Sequence, residues 1–267
     1  MTWDMIYVFG LGLLIGSFVN VLIYRLPQMI MADQLPQSTA NRLDLCWPAS
    51  HCPHCKAPLK VWHNIPILSY AWLKGRCGFC QQSISAQYPT IELTTALIWL
   101  ACTWHWGFNV SGLCWAGFVT TLLALSVIDW QTTLLPDKLT QTLVWAGLIV
   151  SALGWLALPP SQSIWGAVMG YASLWTVATV FERITGKQGM GAGDFKLLAG
   201  LGAWLGPLAL LPVVMLASLS GAIVGLALKF THRLRDDGYV PFGPFLALAG
   251  VLVGAIGIDT VTHWMGW

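Results

Sequence analysis

Long runs in which almost every position is apolar alternate along the chain with short stretches that hold nearly all of its charge. The first run, Met5 to Leu26, has no Lys or Arg before it and outlasts the apolar core of a secretory leader, so it reads as a retained helix. Others follow at residues 90–106, 111–130, 139–158 and 162–182. The stretch from Asp194 to Phe230 is too long for one span of about 20 residues, and Pro207 and Pro212 divide it into a short helix and a longer one. A last run covers 242–263. The pattern predicts an all-α polytopic membrane protein of about eight transmembrane helices. Its domains are a first transmembrane helix at 1–26, a loop domain at 27–89 where the apolar pattern lapses, and a transmembrane domain at 90–267.

Composition fixes the solvent. Hydrophobic residues make up 56% of the chain and charged ones 9%, with a mean hydropathy of +0.67; soluble domains carry about 25% charged residues. The partner implied is the lipid bilayer. A net charge of +2 is too small to imply nucleic acid, and no sequence feature signals an oligomeric state. With the 27–89 loop in the cytoplasm, all 13 Lys and Arg fall on or near that side: six from Arg25 to Arg76, then Lys138, Arg183, Lys187, Lys196, Lys229, Arg233 and Arg235. The opposite turns, GFNVSG, ALPPSQS and GPLALLP, have none, as the positive-inside rule requires.

The loop contains CPHC at Cys52 to Cys55 and CGFC at Cys77 to Cys80. Two such knuckles bring four thiolates to the corners of a tetrahedron, the geometry of a structural zinc; a pair of disulfides or free thiols is the alternative. A reducing cytoplasm weakens that alternative. Cys46, Cys102 and Cys114 show no partner pattern and read as small apolar residues.

The stretch GMGAGDFKLLAGLGAWLG, Gly189 to Gly206, leads through Gly191 and Gly193 to a lone carboxylate, Asp194, where an apolar run begins; Lys196 follows two positions on. Asp129, 65 positions earlier, closes another apolar run in IDWQTTLLPD. Either alone can be an interfacial helix cap. At one membrane face the two are the minimum for hydrolysis by paired carboxylates, one taking a proton from water while the other, protonated, polarises a carbonyl. Helix-end dipoles place the charge on Asp194 and the proton on Asp129, by about 0.3–1 kcal/mol. A proton-coupled carrier would hold its carboxylates near the midplane on interrupted, repeated helices, and neither feature is present. Serine catalysis lacks a G-x-S-x-G elbow.

Smaller signals are open to structural readings. Gly12, Gly16 and Ser17 form a small-residue stripe for close helix packing, with Asn20 as an interhelical hydrogen-bonding group. Glu92 either touches substrate or anchors the interface. PFGPFLALAG reads as a proline-shaped helix start.

In order, GSFVNVLIYRLP, CPHC with CGFC, NIPILSYAWLKGRC, YPTIEL, IDWQTTLLPD, GAGDFKLLAGLGAWLG and PFGPFLALAG resemble the type IV prepilin peptidases, the leader peptidase and N-methyltransferase family of bacterial inner membranes. The likeness spans nearly the whole chain. It implies that Asp129 and Asp194 are the catalytic pair of an aspartic peptidase of the Gly-x-Gly-Asp type. It also implies that Cys52, Cys55, Cys77 and Cys80 hold zinc in a cytoplasmic domain linked to methyl transfer. The implied substrates are prepilins of type IV pili or secretion pseudopilins, cut on the cytoplasmic side and then methylated from S-adenosylmethionine. The sequence offers no recognisable donor motif, and Gly75, beside Cys77, matches a family position near the zinc site. After Asp129 the chain departs from many relatives, with Trp130, Gln131, Thr132 and Thr133 in place of a more polar run. The same peptidase type with another substrate and no methylation is the alternative.

Overall fold

The computed structural model describes residues 2–33, 44–187, 189–231 and 240–264; Arg42, Arg233 and Arg235 lie outside them. Helices dominate, and the extended pairing among the described residues is limited to two isolated bridges. The chain forms two compact units, Met1–Thr120 and Thr121–Trp267.

In the first unit, α1 (Thr2–Asp33) outruns the expected Met5–Leu26 span and continues through Pro27. Proline deletes one ladder bond, which a long helix tolerates. After the loop come a short α2 (Leu68–Trp72) and α3 (Gln87–Trp106), which packs along α1. The small-residue stripe makes that contact. A Cβ on Gly12 would stand 2.6 Å from Ala96 Cα, and one on Gly16 2.6 Å from Glu92 Cα, so only hydrogen fits at either place. Asn20 Nδ2 donates to the Tyr88 carbonyl at 3.0 Å, an interhelical bond of the kind its position suggested. The unit boundary falls within α4 (Val110–Thr132).

The second unit is built round α7 (Ala192–Leu205), which follows α5 (Asp137–Ala152) and α6 (Pro160–Thr185). From Leu197 to Leu205 every side of α7 is buried. At 1.5 Å per residue α7 is about 21 Å long, shorter than the ~30 Å hydrocarbon core, so it is a core element clad by longer helices. Its glycines permit this: a Cβ on Gly202 would lie 2.1 Å from the Gly166 carbonyl oxygen of α6. Ser163 Oγ donates to the Ala203 carbonyl at 2.6 Å, and Trp204 Nε1 to that of Leu143 at 2.9 Å. The break expected before the longer helix falls at Gly206 (φ +83°) and Pro207, and α8 (Leu210–Phe230) follows with Pro212 in its first turn. Then come α9 (Gly243–Ile256) and α10 (Ile258–Trp264).

Among the described residues, four helical stretches are long and apolar enough to cross a membrane: Trp3–Ala32, Val110–Thr132, Pro160–Thr185 and Pro207–Phe230. On α6, Ile164, Trp165, Val168, Met169 and Val177 are all exposed, as are Met215, Leu219, Ile223 and Phe230 on α8. Water would not tolerate apolar surface on this scale, whereas lipid suits it. Several apolar helices thus fit a multi-pass membrane protein.

Candidate functional site

Two sets of chemically capable side chains occur, one in each unit. In the second, Asp129 lies in the last turn of α4 and Asp194 in the first turn of α7, at the helix ends the sequence indicated. Both are buried, at 4% and 3% exposure, and near enough for the charge of Asp129 to act on Asp194. One Asp194 oxygen, Oδ1, is buried without a hydrogen-bond partner. An orphaned carboxyl oxygen inside an apolar core is costly as mere structure, and such groups occur where chemistry needs them.

Gly191 is the residue before α7, and a Cβ there would lie 3.9 Å from Asp194 Oδ2. Gly193 gives room to Leu135, whose Cβ would be 2.6 Å from a Cβ at that position. Lys196 does not reach back to Asp194: its Nζ pairs with Asp137 Oδ1 at 2.6 Å, joining α7 to α5 at the surface.

The site also draws on the PFGPFLALAG run, in the sequence a proline-shaped helix start. Gly243, first residue of α9, donates its backbone N–H to Asp129 Oδ2 at 2.9 Å, a buried bond. First-turn amides of a helix have no partner within the helix, and Asp129 supplies one here. A Cβ on Gly243 would stand 2.6 Å from the same oxygen. The signal was a glycine followed by a proline at a helix start, which leaves a free amide where a side chain is excluded. This bond also alters the helix-end argument. Asp129, at the negative end of its own helix, also faces the positive end of α9, which narrows the helix-end difference between the two aspartates.

In the first unit the four thiols of Cys52, Cys55, Cys77 and Cys80 offer sulfur atoms all within 4.8 Å of one another. Cys52 and Cys80 Sγ are 3.9 Å apart, close to the ~3.8 Å edge of a tetrahedron with metal–sulfur bonds of about 2.3 Å. The knuckles are built alike. Cys52 N–H donates to Ala57 O and Lys56 N–H to Cys52 O, while Cys77 N–H donates to Gln82 O and Gln81 N–H to Cys77 O. Lys56 and Gln81, both at φ +58°, turn the chain just after the second cysteine of each. The backbone N–H groups of Cys80 and Phe79 hold the Cys77 thiol down at about 7, favouring the thiolate a metal needs. The donor set fits a closed structural zinc site. Cys46, Cys102 and Cys114 take no part in the cluster. Gly75 (φ +69°) lies under Tyr70, whose hydroxyl would be 3.0 Å from an added Cβ.

Residues 10–106 match the model of the bacterial peptidase A24 N-terminal domain, and residues 116–226 that of the type IV leader peptidase family. A prepilin leader peptidase/N-methyltransferase of Pseudomonas putida is 46% identical over 253 residues, which cover 90% of this chain and 86% of the relative. One from Aeromonas salmonicida is 43% identical over 273 residues, covering 96% and 92%. The chain belongs to the type IV leader peptidase family. A relative of the same name from Dickeya chrysanthemi is 43% identical over 256 residues, covering 91% and 89%. No solved structure matches the chain.

Proposed function

We propose that this chain cleaves the leader peptide of type IV prepilins, or of secretion pseudopilins, with Asp129 and Asp194 as an aspartic dyad, and then N-methylates the new amino terminus. The names of its relatives support a peptidase with methyltransferase activity. The observation that carries the aspartic assignment is the buried pair itself, with an unpartnered Asp194 oxygen beside Asp129. Like charges at that proximity favour a shared proton. The ionised member takes a proton from a water, which attacks the scissile carbonyl, and the protonated member donates to the carbonyl oxygen. Collapse of the tetrahedral intermediate releases the leader's carboxylate and the amine of the mature chain. Gly191 keeps the space beside Asp194 Oδ2 free of a side chain, Gly193 lets α7 start close against Leu135, and Lys196 ties the start of α7 to α5 through Asp137.

Cys52, Cys55, Cys77 and Cys80 would hold a structural zinc that supplies folding free energy to the 27–89 loop domain, and S-adenosylmethionine would supply the methyl group. The remainder, 90–267, is the transmembrane peptidase domain, with 1–26 a separate first span. The placement of basic residues supports eight spans in a bacterial inner membrane with the site facing the cytoplasm. A pilin amino terminus is itself an apolar helix, able to lie among the spans with its basic leader in the cytoplasm.

The test is a cleavage assay on a prepilin in detergent or nanodiscs. Asp129→Asn and Asp194→Asn are each expected to abolish cleavage while the protein stays folded and zinc-replete. Turnover like the parent's in either variant removes the dyad.

A further inference from the structure

Beside the cysteine cluster the first unit encloses a cavity of about 450 Å³, lined by Asn20, Tyr24 and Arg25 of α1, Tyr88 and Glu92 of α3, and Tyr70 of α2. That volume is in the ~300–1,000 Å³ range of cofactor sites. Its polar groups are set deliberately. Glu92 is 8% exposed, yet it occupies the crowded α1–α3 seam, receiving the Ile67 N–H at 2.8 Å. Ile67 holds φ +58°, ψ −48°, a conformation costly for a β-branched residue. The loop is therefore bent against its preference where its amide meets this carboxylate. Asn20, 5% exposed, lines the cavity with its Nδ2 on Tyr88 O while its Oδ1, also buried, has no partner. Arg25, 6% exposed, donates to the carbonyls of Asp44 and Pro48 at 2.9 and 2.6 Å, which leaves it further N–H donors.

From these features we infer that this cavity is the binding site of the methyl donor, S-adenosylmethionine, with Glu92 facing its sulfonium and Arg25 its carboxylate. The inference rests on the methyltransferase reading and gives the place, which the sequence narrows only to the 27–89 loop near Gly75. The ligand is an elongated zwitterion with a soft cation at its centre and an aromatic base at one end. The rings of Tyr24, Tyr70 and Tyr88 offer faces to the base and to the cation, and Asn20 Oδ1 is an acceptor awaiting a donor such as an amino or hydroxyl group. In the transfer, the lone pair of the neutral terminal amine forms the new N–C bond and the C–S pair stays on sulfur. The positive charge moves from sulfur to the secondary ammonium and remains near Glu92.

The experiment uses the full chain in nanodiscs. Ultraviolet crosslinking with methyl-tritiated S-adenosylmethionine, read by peptide mapping, is expected to label residues 17–25, 63–70 or 88–92. Equilibrium binding of S-adenosylhomocysteine and of the donor is compared in the parent, Glu92→Gln and Asn20→Ala, with zinc content and melting temperature as controls on folding. Donor affinity should fall at least tenfold in Glu92→Gln, and more for the cationic donor than for the neutral thioether product. Labelling confined to 121–264, or folded variants that bind the donor as the parent does, overturns the placement. A parent protein that neither binds the donor nor methylates an already cut peptide removes the methyltransferase reading, and this inference with it.

Discussion

At the scale of single residues, Asp129 depends on an amide that a side chain would push away. Gly243 brings its N–H to 2.9 Å from Asp129 Oδ2, and an added methyl would stand 2.6 Å from that oxygen. Gly243→Ala should therefore shift the carboxylate by a fraction of an ångström to one ångström, a displacement able to cost on the order of 10²-fold in rate. We expect kcat for prepilin cleavage to fall by about that much with little change in KM. A loss of folded protein with unchanged kcat per folded molecule would make Gly243 a packing residue only. The two aspartates and four cysteines were readable in the sequence because each stands alone in apolar surroundings or recurs at ligand spacing. Gly243 was not, because its contribution is a backbone amide meeting a residue 114 positions away, and no one-dimensional pattern records that meeting. The partner of Lys196 was illegible for a related reason: it is Asp137 of α5, 59 positions away, and not a neighbour along the chain.

At the scale of the element, α7 shows how far an apolar run determines its own surroundings. The run from Asp194 to Phe230 divides as its prolines suggested, but hydropathy does not say that the short half would be buried on all sides. That follows from small residues on both partners. Gly166 and Gly170 of α6 face Gly202 and Leu198 of α7 so closely that an added Cβ would meet backbone carbonyl oxygen at 2.1 or 2.6 Å. Backbone cannot step aside as a flexible side chain can, so Gly202→Ala should destabilise the α6–α7 contact by about 1–3 kcal/mol. The expected result is a melting temperature lower by several degrees in lipid nanodiscs. Gly117→Ala is the control, since nothing lies within 4 Å of a Cβ there and alanine is the better helix former. Equal melting temperatures for the two variants would mean that α6 and α7 accommodate the methyl by sliding. The helix termini were less legible than the helices: α1 runs through Pro27 to Asp33, because one lost ladder bond does not end a helix whose other groups remain paired.

At the scale of the whole molecule, the two proposed chemistries draw on groups in separate compact units. Asp129, Asp194 and Gly243 belong to Thr121–Trp267, while the four cysteines and the cavity edged by Glu92 belong to Met1–Thr120. Among the described residues, the loop module between α1 and α3 buries little apolar surface beyond Cys52, Pro66 and Cys77. Metal ligation would then supply much of its folding free energy, and losing one thiolate should loosen both knuckles together. Cys52 and Cys77 also edge the cavity, so loosening them should disturb donor binding before it disturbs the dyad. We therefore expect Cys52→Ser and Cys77→Ser to lower zinc content and methylation more than cleavage. Asp129→Asn should block cleavage yet still methylate a peptide supplied already cut. Mass spectrometry of one reaction reads both outcomes, as loss of the leader and as a gain of one methyl group. Partial loss of cleavage in the cysteine variants is compatible with a loop that also docks the basic leader. An Asp129→Asn protein that is folded and zinc-replete but cannot methylate the mature peptide, or cysteine variants that methylate normally, would mean that the two reactions share one site.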